Sequence, residues 1–108
     1  MKTIKIAVKE PFKAWEIREV EDTLPTYQGI VGGNIEHFGN QFGADLFCNE
    51  EGMFHDLKFN VYYRNYPIFG TIFAVGADDE EEFVSLTAKQ AKAFTDLKDR
   101  VLYFKEEK

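Results

Sequence analysis

Ile68-Phe69-Gly70-Thr71-Ile72-Phe73-Ala74-Val75 is the stretch on which the fold turns. Its apolar side chains are too continuous for a strand with one face in water and too few for a long helix. It therefore reads as the central strand of a sheet, buried on both faces. On its N-terminal side, Asn49-Glu50-Glu51-Gly52 reads as a tight turn, because Asn bonds locally to its own backbone and Gly accepts a positive φ. Ala44 to Cys48 is the strand leading into that turn. On the other side, Gly76 to Glu82 reads as an acidic loop, and Phe83 begins a brief extended piece. Thr87-Ala88-Lys89-Gln90 matches a capping box, in which the Thr and Gln side chains satisfy each other's backbone amides. Ala91, Phe94, Leu97, Val101 and Phe104 follow at spacings of three or four. This predicts a long C-terminal helix with an apolar stripe packed on the sheet.

Upstream, Ile4, Ile6 and Val8 recur at period two and predict a strand over Thr3 to Val8, ended by Pro11. Ala14 to Val20 alternates again, with Trp15 and Ile17 opposite Glu16, Arg18 and Val20, and forms a hairpin with the first strand. Asp22 or Thr23 can cap a helix that has Pro25 in its first turn and Leu24, Tyr27, Ile30 and Val31 on one face. Gly32-Gly33 stops it. Asn34 to Phe38 reads as a short strand and Gly39 to Gly43 as a loop. Met53 to Pro67 is irregular and reads as a loop with one helical turn around Asp56 to Tyr62. The order ββαβββα defines one α+β domain over residues 1–108, a mixed or antiparallel sheet of about five strands with two helices.

A chain of 108 residues fits one ordinary core, and 44% hydrophobic content is ample to fill it. The sole cysteine, Cys48, cannot form an internal disulfide, and Met1 to Lys5 lacks the apolar region of a signal peptide, so a reducing cytoplasm is the expected setting. No apolar stretch is long enough to span a bilayer, and no membrane role is expected. The net charge of −6 argues against direct nucleic-acid binding, which draws its affinity from Lys and Arg, and for a basic protein partner. Asp45 to Glu82 holds nine acidic residues against Lys58 and Arg64, a local charge of −7. The cations Lys89, Lys92, Lys98, Arg100, Lys105 and Lys108 read as a solvated C-terminal face.

Several short motifs resemble the small domain-of-unknown-function family numbered 3846: Val31-Gly32-Gly33 followed by Ile35-Glu36, Cys48-Asn49-Glu50-Glu51-Gly52, Asn60, Gly70-Thr71, and Phe83-Val84-Ser85-Leu86-Thr87. The resemblance covers the chain from about Ile4 to the final helix. It implies a mobile-element setting, in phages, plasmids or conjugative elements, and no activity. Two features depart from it: the aromatic richness between Gly52 and Pro67, where a more polar, proline-containing segment is expected, and the length of the expected final helix.

Three groups of residues are candidates for function. Asp78, Asp79, Glu80, Glu81 and Glu82 are five consecutive carboxylates; together with Glu50 and Glu51 they would attract a host factor that binds DNA through Arg and Lys, provided the two turns sit together. Phe59, Tyr62, Tyr63 and Tyr66 fall in the irregular segment, and an exposed aromatic cluster there would mark a partner or ligand surface. Arg64 beside the tyrosines raises an alternative, the binding of a small nucleotide or nucleotide-derived signal. Cys48 with His37 or His55 supplies the ingredients of a cysteine-dependent enzyme, although no oxyanion-hole signature accompanies them. No recognised zinc spacing is present, and no catalytic residue, metal or cofactor is assigned. The expected function is that of an accessory protein binding a host protein, in counter-defence or host modulation.

Overall fold

Successive residues of Ile72–Ala77 point to opposite faces of a sheet, and both faces are covered. The computed structural model describes residues 2–52, 56–98 and 101–102. Its elements are β1 (Thr3–Lys9), β2 (Glu16–Glu21), α1 (Leu24–Val31), β3 (Ile35–Gln41), β4 (Ala44–Asn49), β5 (Phe59–Tyr63), β6 (Tyr66–Phe69), β7 (Ile72–Ala77), β8 (Phe83–Val84), α2 (Ala88–Asp96) and β9 (Val101–Leu102). The main sheet runs β2-β1-β7-β4-β3 with every neighbouring pair antiparallel, and β8 adds to the end of β7. A second sheet runs β6-β5-β9. The protein is thus of the α+β class, with two helices among the described residues and an antiparallel main sheet.

Alternation divides the core in two. Ile4, Ile6, Val8, Phe73 and Val75 face α1, where Tyr27 and Val31 close the layer. Ala7, Leu46, Cys48, Ile72 and Ala74 face the opposite way, against Trp15, Phe94 of α2, and Val61 and Leu102 of the second sheet. The Thr87 capping box forms as its sequence implies, and Gln90 also donates to the Phe42 carbonyl at 3.1 Å, tying α2 to the β3–β4 turn.

Four expectations need correction. The run from Ile68 to Val75 is two strands, because Gly70 turns the chain at φ +83 and passes it from the second sheet to the main one. A Cβ there would lie 2.8 Å from Leu57 Cδ1. The C-terminal helix is short: it ends at Asp96, Leu97 is extended, and Val101–Leu102 pairs parallel with Tyr62 and Tyr63. No Gly or Pro marks that stop, and the same apolar spacing serves a helix stripe or a buried strand. Phe104 and Met53 to His55 lie outside the described residues. The segment expected to carry a helical turn is instead the β5–β6 hairpin, whose turn residues Arg64 and Asn65 both take positive φ (51 and 74). This is the backbone of a type I′ turn without its usual Asn-Gly signature. Finally, the loop expected over Gly39 to Gly43 contracts to Phe42-Gly43, and β3 runs through to Gln41.

Asn60 joins the two sheets. Fully buried at an irregularity in β5, it donates to the carbonyls of Lys9 (2.9 Å) and Gly70 (2.8 Å) and accepts from Lys9 Nζ at 2.7 Å. Tyr63 makes a second junction, packing edge-on to Phe38 and accepting from the Asn40 amide at 3.2 Å. Its ring fills the space that a Cβ at Gly39 would need, so that position admits only glycine while the junction holds.

Candidate functional site

The five consecutive carboxylates form the tip of the β7–β8 hairpin, and one of them organises the rest. Asp78 Oδ1 accepts from the amides of Glu80 and Glu82, both at 2.9 Å, while its carbonyl accepts from the Glu81 amide at 2.9 Å. Glu81 sits at φ +64, closing the turn. Local bonds of this kind let an Asp stabilise a turn that charge repulsion alone would open. Asp79, Glu80, Glu81 and Glu82 are left exposed on an ordered scaffold.

A groove of about 330 Å³ runs beside this tip, walled by Leu24, Tyr27, Ile35 and Phe83 and rimmed by Asp22, Glu81 and Glu82. Thr23 caps α1 through its hydroxyl, which accepts from the Thr26 amide, and this capping sets the wall. Tyr27 donates to Asp22 Oδ1 at 2.6 Å, and burial followed by that bond pushes its phenol well above the ordinary range. Phe83 packs edge-on to Tyr27 at 5.0 Å between centroids, so the hairpin and helix are fixed to each other. Leu24 remains 54% exposed.

The Glu50–Glu51 turn lies elsewhere, so the condition that the two acidic turns sit together is not met. Asp45 pairs with Val75 and Phe47 with Phe73, so the end of β4 lies at the start of β7 while the 78–82 tip lies past its end. The separation is roughly 25 Å at about 3.3 Å per residue. Around Glu50 and Glu51 the motif residues build a structural junction. Asn49 donates to the Val31 carbonyl at 3.2 Å and accepts from the Glu51 amide at 2.7 Å, fastening the end of α1 to the turn. A Cβ on Gly33 would lie 2.8 Å from Asn49 Nδ2, so the Gly-Gly and Cys-Asn-Glu-Glu-Gly motifs meet at one point.

The aromatic candidates separate. Phe59 is half-buried against Tyr62 and Phe69, and Tyr63 is committed to the β3 junction. Tyr62 and Tyr66 are 46% and 72% exposed, and Arg64 is exposed with its guanidinium 6.0 Å from the Tyr63 ring centre. Tyr62 and Tyr63 are successive strand residues and point to opposite faces. They cannot clamp one base between them.

Cys48 is 6% exposed, and burial followed by the charge of Glu36 pushes its thiol up to about 12. Little thiolate exists at neutral pH. Glu36 pairs with Cys48 and His37 with Phe47, so His37 lies on the opposite sheet face from the thiol. His55 lies outside the described residues. Among the described residues no group of three or more His, Cys, Asp or Glu is arranged to hold a metal ion, and no helix is long and apolar enough to cross a membrane.

One cleft has no counterpart among the sequence expectations. About 360 Å³ in volume, it is lined by Lys9, Phe12, Lys13, Ala14, Leu97 and Lys98. Its one local signal is the Glu10-Pro11-Phe12-Lys13 turn, which sets an aromatic beside a cation; Leu97 and Lys98 come from distant sequence and only the fold brings them there.

These features define a small α+β domain with an acidic hairpin tip and grooved surfaces at both ends of its main sheet. The chain belongs to the family described as Domain of unknown function (DUF3846), whose model matches residues 4–99. No curated protein and no solved structure matches it.

Proposed function

We propose that this chain is a cytoplasmic accessory protein of a mobile genetic element, phage or plasmid, that binds a host protein in counter-defence or host modulation. The observation that carries this reading is the ordered 78–82 tip, four exposed carboxylates on a fixed hairpin beside an apolar groove. Preorganised like charges steer a basic partner into encounter, and an adjacent apolar wall supplies the desolvated contact that holds it. A DNA-binding host factor has the complementary surface. The Glu50–Glu51 turn takes no part, being at the far end of the sheet.

The test is affinity purification of the tagged chain from its host, identification of the bound protein, and titration of that pair. Charge reversal with Asp79→Lys, Glu80→Lys and Glu81→Lys is expected to weaken binding by at least roughly tenfold and to reduce its salt dependence. Reversal at Glu50 and Glu51 is expected to leave it within about twofold. Equal effects from the two reversals would refute the assignment of the tip.

A further inference from the structure

We propose that the groove between α1 and the β7–β8 hairpin is a docking site for a basic polypeptide segment that carries a large apolar side chain among its cations. The inference rests on the host-protein reading and narrows it from a charged surface to one anchored segment.

The groove joins two chemistries that different elements supply. Leu24 enters from the start of α1 and Ile35 from β3, whereas Glu81, Glu82 and Phe83 come from the hairpin. Tyr27, also in the lining, is 3% exposed and held by Phe73, stacked at 5.1 Å, as well as by Phe83. The walls are therefore set before a ligand arrives, and binding costs little reorganisation. A volume of about 330 Å³ is at the lower end for ligand sites, the scale of an anchoring side chain rather than of a folded surface.

The carboxylates at the rim are not equivalent. Asp22 is engaged at both oxygens, Oδ1 accepting from Tyr27 at 2.6 Å and Oδ2 lying 3.4 Å from Lys2 Nζ. Attraction for an incoming cation comes instead from Glu81 and Glu82, whose amides are tied into the Asp78 turn and whose side chains are exposed. Charge alone would draw any polycation, and exposed ion pairs are worth little. Leu24 and Phe83 supply the discrimination. Covering their apolar surface is favourable when the ligand brings an apolar side chain of its own, and a ligand of cations and polar groups alone forgoes that gain.

Fluorescence polarisation on the full chain tests this with a labelled peptide, Gly-Lys-Arg-Leu-Phe-Lys-Arg-Gly, and a counterpart of equal charge with Ser-Ser in place of Leu-Phe. The Leu-Phe peptide is expected to bind at one saturable site, and the Ser-Ser peptide at least roughly tenfold more weakly. Leu24→Ser alters a half-exposed position at the helix start; it is expected to leave the melting temperature nearly unchanged and to bring the two peptides within about twofold of each other. Glu81→Gln with Glu82→Gln is expected to weaken both peptides alike and to flatten their salt dependence. The proposal is overturned if the Leu-Phe peptide does not bind, if the two peptides bind equally, or if their difference survives Leu24→Ser. A dimer in light scattering that Leu24→Ser dissociates would also overturn it, making the occupant a second copy of the chain. The two readings fail separately. If charge reversal at the tip weakens the co-purifying host protein and Leu24→Ser does not, the host-protein reading stands and the groove inference falls; if the tip reversal leaves that protein bound as before, the host-protein reading falls while the peptides still decide the groove.

Discussion

Asn60 joins three parts of the architecture through one side chain. It bridges β1, β5 and the turn at Gly70, and truncation would leave two buried carbonyls and a buried ammonium short of partners. Asn60→Ala is expected to cost about 2–4 kcal/mol, measured by urea unfolding, because unsatisfied buried polar groups carry their full desolvation cost. Asn60→Asp would restore the acceptor but not the donors, and should recover only part of it. Cys48 makes a different kind of prediction. Its thiol is buried and its ionisation disfavoured, so iodoacetamide at pH 8 should label the native chain far more slowly than the urea-unfolded chain, as read by mass spectrometry. Equal labelling rates would restore the case for a reactive cysteine.

At the scale of elements, the positive-φ turn of the β5–β6 hairpin shows where sequence and structure part. Arg64-Asn65 adopts a type I′ backbone with side chains that do not advertise it, so Phe59 to Phe69 lacks the turn signal that would resolve two strands. Replacing the pair by Asn-Gly (Arg64→Asn with Asn65→Gly) should raise stability by about 1 kcal/mol, seen as a higher melting temperature without loss of fold. The strands of the main sheet are legible because their burial is written in period: Ile4, Ile6 and Val8 on one face, and an unbroken apolar run in β7. Thr87 to Gln90 is legible because capping is local chemistry. The end of α2 is not, since Leu97, Val101 and Leu102 are held by contacts with β5 and the core that no local pattern encodes. The site divides in the same way. The acidic tip can be read from composition, whereas its distance from Glu50 and Glu51 follows from the β4–β7 register, and the lysine-lined cleft is assembled from segments some 85 residues apart in sequence.

For the whole molecule, two buried acids with raised pKa values set the alkaline limit of stability. Cys48 and Tyr27 both remain protonated in the folded chain at pH values where the unfolded chain releases its protons. The unfolded state then binds fewer protons, so stability is full below about pH 8.5 and falls as pH rises toward 12. Cys48 should account for about 1–2 kcal/mol by pH 10, and Cys48→Ala should flatten that part of the curve in denaturant titrations across this range. The same molecule carries its charge asymmetrically, with an acidic tip past one end of β7 and cations gathered beyond the other. Binding of a basic host protein by that tip is the central claim. The most direct measurement is the affinity of the chain for the protein that co-purifies with it, compared with that of the Asp79→Lys, Glu80→Lys, Glu81→Lys variant over a range of salt. A loss of at least roughly tenfold and a flatter salt dependence are predicted for the variant; an unchanged affinity in a folded variant would contradict the claim.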